Sequence, residues 1–267
     1  MVYNDARLVP QTYRGTQLVS SDIENLTLTA GGLDQFKLRD STDSRSIIPD
    51  GYAGRNGGSF IYAGGEYNWA RELRASYFYG EMEDFYHQQF AGLQHTLAVP
   101  LGKMTTDVRY FFSRDDGKAY AGDIDNNLFS AQVSYATVGH VVGVSYQRLQ
   151  GDAGLPYVNG ASVYSFSNMG IGKFIEEDET SWLVSYGYDF RHLGIAGLNF
   201  MTRYIRGEDR KSEGVDEWER DIELAYSVPA GALKGLGVKL RNYVYRSNTA
   251  RGRDSNRFYM TYDIAIW

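Results

Sequence analysis

The stretch Phe129-Ser130-Ala131-Gln132-Val133-Ser134-Tyr135 decides the fold: apolar or aromatic residues hold every second position, with polar residues between them. The pattern returns at Ile222, Leu224, Tyr226 and Val228, with Asp221, Glu223 and Ser227 on the other parity. A period of two is that of a β-strand with one greasy and one wet face. About a dozen such segments follow one another with almost no helical periodicity between them, so the chain is expected to be all β, closed or sandwich-like.

Outward from that stretch, alternation and turn signals mark segments near 14–20, 24–37, 58–68, 72–84, 88–99, 103–115, 125–136, 139–150, 179–191, 195–206, 216–228, 234–247 and 256–267. Many approach the roughly 9 to 11 residues that a tilted strand needs to cross a bilayer. The connections alternate. Short ones lie at Trp69 to Arg71, Pro100 to Gly102, Thr137 to Gly139, His192 to Gly194 and Pro229 to Ala232. Longer, charged ones lie at Asp40 to Gly57, Asp115 to Asp125, Gly151 to Asp178, Gly207 to Asp216 and Ser247 to Ser255. Short turns at one end and long loops at the other are the plan of a membrane barrel. No linker or low-complexity run divides the chain, and 1–267 is expected to be one β-barrel domain.

Composition fits. The chain has 267 residues, 43% of them hydrophobic; Tyr (22) outnumbers Phe (13), Gly reaches 30 and Pro only 5. Mean hydropathy is −0.42, and no run approaches the roughly 20 apolar residues of a membrane-spanning helix. A barrel evades that test, because half of each strand faces a polar lumen. With no cysteine there is no disulfide framework, thiolate metal site or cysteine nucleophile. The net charge of −6 argues against nucleic acid as a partner. Tyr77, Tyr79, Tyr110, Phe112, Tyr186, Tyr188, Phe190 and Trp218 sit on the greasy face near strand ends, where amphipathic rings suit headgroup level. The alternative is a soluble all-β enzyme or binding protein with these rings as its core, or a shortened barrel with a non-selective pore.

Specific strings narrow the choice. Pro10-Gln11-Thr12-Tyr13-Arg14-Gly15, Thr106-Asp107-Val108-Arg109-Tyr110-Phe111 and the run from Asp116 to Asn126 come first. Pro156-Tyr157-Val158-Asn159-Gly160, Gly197-Leu198-Asn199-Phe200-Met201-Thr202-Arg203-Tyr204, Trp218-Glu219-Arg220-Asp221 and Arg246-Ser247-Asn248 follow in order. Together they resemble the OprD family of substrate-specific outer membrane porins, from about Leu8 to Trp267. The resemblance implies an antiparallel barrel in the Gram-negative outer membrane, 18-stranded in complete members, that passes small solutes. A complete member would begin with a signal peptide and several more strands. The chain is therefore expected to correspond to the C-terminal three fifths of a porin, as a fragment, a truncated product or a shortened barrel, with about 12 to 14 strands.

Charged residues on the wet parity are candidates for selection. Arg74, Arg109, Arg203, Lys239 and Arg241 form the expected basic track, and Asp189, Asp221, Glu223 and Asp263 an opposing acidic wall. The family's ladder of basic residues guides a substrate carboxylate, and Arg109, Arg203 and Arg241 lie in strings matching such strands. Arginine suits the task because its planar fork binds carboxylates bidentately and keeps its charge; the competing reading is that each arginine pairs with a neighbouring acid. The longest loop, Gly151 to Asp178, is the expected constriction, with Tyr157, Tyr164 and Lys173 facing the pore, because a surface loop rarely keeps so many aromatics unless they pack. Expected partners are outer membrane lipid and small anionic or zwitterionic solutes; the chain is expected to be a monomer or weak trimer.

Signals for chemistry are poor. His87, His95, His140 and His192 are scattered, without metal-ligand spacing. Asp115, Asp116, Asp123 and Asp125 lack the glycine and distal Glu of a calcium loop. Gly170-Ile171-Gly172-Lys173 lacks phosphate-loop spacing. No catalytic residue, cofactor or metal is expected. Trp267 falls on the lumenal parity, which requires a bulge or a shifted register near the terminus.

Overall fold

A computed structural model describes residues 10–209 and 216–262. The strands are β1 (Thr12–Ile23), β2 (Leu26–Lys37), β3 (Arg45–Ser46), β4 (Phe60–Ala70), β5 (Leu73–Met82), β6 (Tyr86–Val99), β7 (Gly102–Asp115), β8 (Asp125–Thr137), β9 (His140–Gly151), β10 (Glu179–Asp189), β11 (Leu198–Asp209), β12 (Asp216–Ser227), β13 (Leu236–Ser247) and β14 (Arg253–Tyr262). All belong to one antiparallel sheet of 14 strands, in the order β1-β2-β4-β5 and onward to β14, with β3 paired to β2 off that path. The fold is an all-β barrel wall, with the strand number at the top of the expected range. Asp263 and Trp267 lie outside the described residues.

Every long strand pairs with its sequence neighbours because tight turns return the chain at one end. Asn25 (φ 63°), Leu101 (φ 67°) and Gly139 (φ 76°) supply the left-handed residue in three of these turns. At the opposite end the connections are long, with one exception: Glu83 to Phe85 joins β5 to β6 directly, with Asp84 at φ 63°. At the turn end, the link from β10 to β11 holds a 3₁₀ turn over Phe190–Leu193.

Register separates the two faces. Tyr110, Phe129 and Arg148 are cross-strand partners, as are Tyr146, Trp182, Arg206, Trp218 and Arg246 in the next row. Partners directly opposite one another share a face. On this convex face Val133, Val142, Val144, Val184, Leu224, Leu240 and Phe258 are exposed, as the alternation predicts. The concave face is less uniformly polar than expected. Leu128, Leu149, Leu183 and Ile205 point inward and are buried, because residues 152–178 fold back and cover them.

That segment packs on three apolar patches in turn. Val158 and Ala161 join Phe36, Ile47, Met82, Phe85 and Tyr86; Leu155, Val163 and Ile175 join Phe111, Leu128 and Leu149; Met169 and Phe174 join Leu183, Ile205 and Tyr245. It therefore reaches both the β2 and the β13 regions of the wall. A buried Leu or Phe contributes about 1.5–3 kcal/mol relative to exposure, so these patches dominate the loop's hold.

Candidate functional site

The site is the concave face and the loop across it. Polar side chains of the wall satisfy the loop's backbone, since an irregular segment leaves many such groups to pair. Asn126 Nδ2 donates to the carbonyls of Ala153 (3.2 Å) and Gly154 (2.9 Å), and Gln88 Nε2 to that of Pro156 (3.1 Å). Gln147 Nε2 donates to the Phe174 carbonyl at 2.6 Å, fixing a residue held at φ 54°. That left-handed conformation costs a non-glycine residue roughly 1–2 kcal/mol, which the burial of the Phe174 ring offsets.

The tightest anchor lies on β12. Glu219 accepts the amide hydrogens of Ile171 (2.8 Å) and Gly172 (2.6 Å), one on each carboxylate oxygen, and Asp221 accepts that of Gly170 at 3.3 Å. Glycine at 170 permits this approach, because a Cβ there would stand 2.5 Å from the Tyr243 ring. Gly170 to Gly172 therefore serve as a backbone donor cradle for two wall carboxylates. Sequence reasoning passed over Glu219, whose parity match to Asp221 and Glu223 was the available signal.

Arg109 points inward from β7. It is bonded to Asp107 at 2.9 Å and sandwiched between the rings of Tyr164 and Phe166, each centroid 3.9 Å away. Arg74, on the inner face of β5, donates to Gln94 Oε1 at 3.2 Å. Arg203 pairs with the fully buried Asp221 at 2.6 Å, and Glu223 accepts from Arg241 and lies 3.5 Å from Lys239. Asp221 and Glu223 thus stand between the basic residues on β11 and β13, not across from them. Asp189 belongs to the turn end, where it caps the 3₁₀ turn by accepting from the Arg191 amide at 2.9 Å. Arg257 is a further inward cation that sequence reasoning passed over: it is the register partner of Arg241 and lies 4.7 Å from the Tyr243 ring centroid. Its alternation with Phe258 was the signal.

Of the three expected constriction residues, Tyr164 meets Arg109, while Tyr157 and Lys173 meet Asp50. Lys173 Nζ lies 3.0 Å from the Asp50 carboxylate and also bonds the Tyr157 hydroxyl, which itself donates to Asp50. Beside these residues the loop and the wall of β1 to β7 line an open pocket of about 410 Å³. Gln17, Glu66, Ser76 and Gln88 supply its polar lining, and Tyr62, Phe78, Phe90 and Tyr164 its aromatic lining. Among the described residues no cluster of His, Cys, Asp or Glu could hold a metal ion.

Comparison with known proteins places this geometry. A family model described as outer membrane porin, OprD family, matches residues 1–266. Porin D of Pseudomonas aeruginosa is 30% identical over 288 residues, and the porin-like protein GalP of Pseudomonas putida 32% over 269. Each match takes in 98% of this chain, and the chain spans 65% of the length of each relative. Among solved structures, Pseudomonas aeruginosa OpdQ superposes with a TM-score of 0.94 at 39% identity, over 100% of this chain and 75% of that one. The structure of Pseudomonas aeruginosa OpdK with vanillate gives 0.94 at 36% identity, over 97% and 70%.

Proposed function

The chain belongs to the OprD family of outer membrane porins, and from that premise we propose that it forms the selective part of a channel for passive diffusion of small carboxylate-bearing solutes. Its relatives are channels, not enzymes, and its apolar convex face is that of a protein in the Gram-negative outer membrane. Residues 1–267 act as one barrel domain, with residues 152–178 as the constriction and Arg203, Lys239 and Arg241 as the guiding cations.

The observation that carries this reading is the charge count in the three inner register rows of β11 to β14 that pass through Asp221, Glu223 and Ala225, on the turn side of Glu217 and Glu219. Arg203, Lys239, Arg241 and Arg257 face inward beside Asp221 and Glu223. Arg257 has no carboxylate within salt-bridge distance among the described residues, and Lys239 shares Glu223 with Arg241. In these rows the four cations outnumber the two acids, and guanidinium groups suit carboxylates. A carboxylate such as vanillate, present in the OpdK structure, is the kind of solute the strip would attract. Arg74 extends the track toward β5, and Arg109 belongs to it only when the loop releases it.

Planar bilayer recording of the full chain tests the reading. Arg203→Ala with Arg241→Ala is expected to lower anion preference, seen as a shift in reversal potential in a salt gradient, and to slow carboxylate uptake in liposome swelling. Strong cation preference that does not move with these substitutions would overturn it.

A further inference from the structure

A second set of arginines points the other way. On the convex face Arg206 stands between its register partners Trp182 and Trp218, and Arg246 beyond Trp218; Arg148 lies beside Phe129, and Arg220 beside Tyr204. Arg148, Arg206 and Arg246 lie toward the long-loop end, above the exposed Val142, Val144, Val184, Leu224 and Leu240, and Arg220 lies a row lower, in register with Tyr204, Val184 and Val144. Trp182 is 58% exposed and Tyr204 43%, so the rings form a girdle at headgroup level with guanidinium groups set among them.

Acids answer only part of this charge. Arg206 meets Glu208 (3.0 Å) and Asp216 (3.1 Å), and Arg246 meets Asp254 (2.6 Å). Among the described residues Arg148 and Arg220 have no carboxylate within salt-bridge distance; Arg220 donates to Asn242, and its Nε is buried without a hydrogen-bond partner. A half-buried guanidinium on a lipid-facing strand is costly unless an anion meets it. At the outer headgroup level of this membrane the anions are phosphates, which guanidinium groups bind by paired hydrogen bonds.

We propose that this face is a binding site for a phosphorylated glycolipid of the outer leaflet, with Arg148 and Arg220 meeting its phosphates and Trp182 and Tyr204 seating its sugar–acyl junction. The proposal rests on the membrane reading of the convex face, not on conduction, so its failure and that of the channel reading are distinguishable.

The test is lipid retention by the full chain in detergent micelles, read by native mass spectrometry with bisphosphorylated lipid A, its dephosphorylated form and phosphatidylglycerol. The expected result is preferential retention of the bisphosphorylated lipid, weakened roughly tenfold in Arg148→Gln with Arg220→Gln and largely kept in Arg148→Lys with Arg220→Lys. Heat-modifiable gel migration checks that the variants fold, and the three-lipid comparison on the unaltered protein decides the matter if they do not. Equal retention of the dephosphorylated lipid or of phosphatidylglycerol, or an unchanged affinity in the folded glutamine variant, would overturn the proposal.

Discussion

The guanidinium carbon of Arg109 lies 3.9 Å from the ring centroid of Tyr164, so a wall cation and a loop aromatic form one joint. Phe166 closes the other side and Asp107 takes the charge. Cation–π contacts shielded from water are worth up to about 2 kcal/mol each. Tyr164→Ala with Phe166→Ala is expected to free Arg109, raise single-channel conductance and increase anion preference. Unchanged conductance would mean that Arg109 does not hold this part of the loop.

Glu219→Gln should loosen the loop from β12. The amide side chain cannot accept on both termini as the carboxyl group does from Ile171 and Gly172, and each such hydrogen bond is worth about 0.5–1.5 kcal/mol. Recordings are expected to show more frequent switching between conductance levels than the unaltered protein. Steady traces at the original level would contradict the anchor.

Leu128→Ala and Leu149→Ala remove side chains that are fully covered by the loop. Each is expected to destabilise that packing by about 2–5 kcal/mol, measured as faster proteolysis within residues 152–178. The strand pairing of β8 with β9 should persist, since it is carried by backbone hydrogen bonds.

Lys173→Met should have a smaller effect. The Lys173 and Asp50 side chains are 40% and 32% exposed, and such pairs contribute about 0–1 kcal/mol. Loop protection should fall far less than in the leucine variants. A larger loss would mean that the Lys173, Tyr157 and Asp50 group acts as a unit.

The wall was legible because lipid and water impose a strict alternation on strands such as Phe129 to Tyr135, and because turns at Pro100 or Gly139 punctuate it. That the longest loop folds inward was legible from its length and aromatics. What was not legible is which inward side chains the loop would cover. Leu128, Leu149 and Ile205 break the polar stripe for a reason that lies outside their own strands, in residues 152–178. The same holds for Arg109, whose parity is that of a pore cation while Tyr164 and Phe166 determine its surroundings. Asp221 and Glu223 have the parity of an acidic wall, but the register of β11, β12 and β13 sets them beside Arg203, Lys239 and Arg241.

The contact between Tyr157 and Asp50 spans 107 residues, whereas the strand pairings that separate them are each closed by a local connection. Loop closure becomes costlier as the intervening chain lengthens, and neighbouring hairpins shorten the path step by step. Docking of the loop against Asp50 and Ile47 is then expected late in assembly, after β2 through β9 have paired. The arrival of Tyr157 at Asp50 is thereby a built-in report that this part of the wall is in register, and a slipped strand would leave the passage unobstructed.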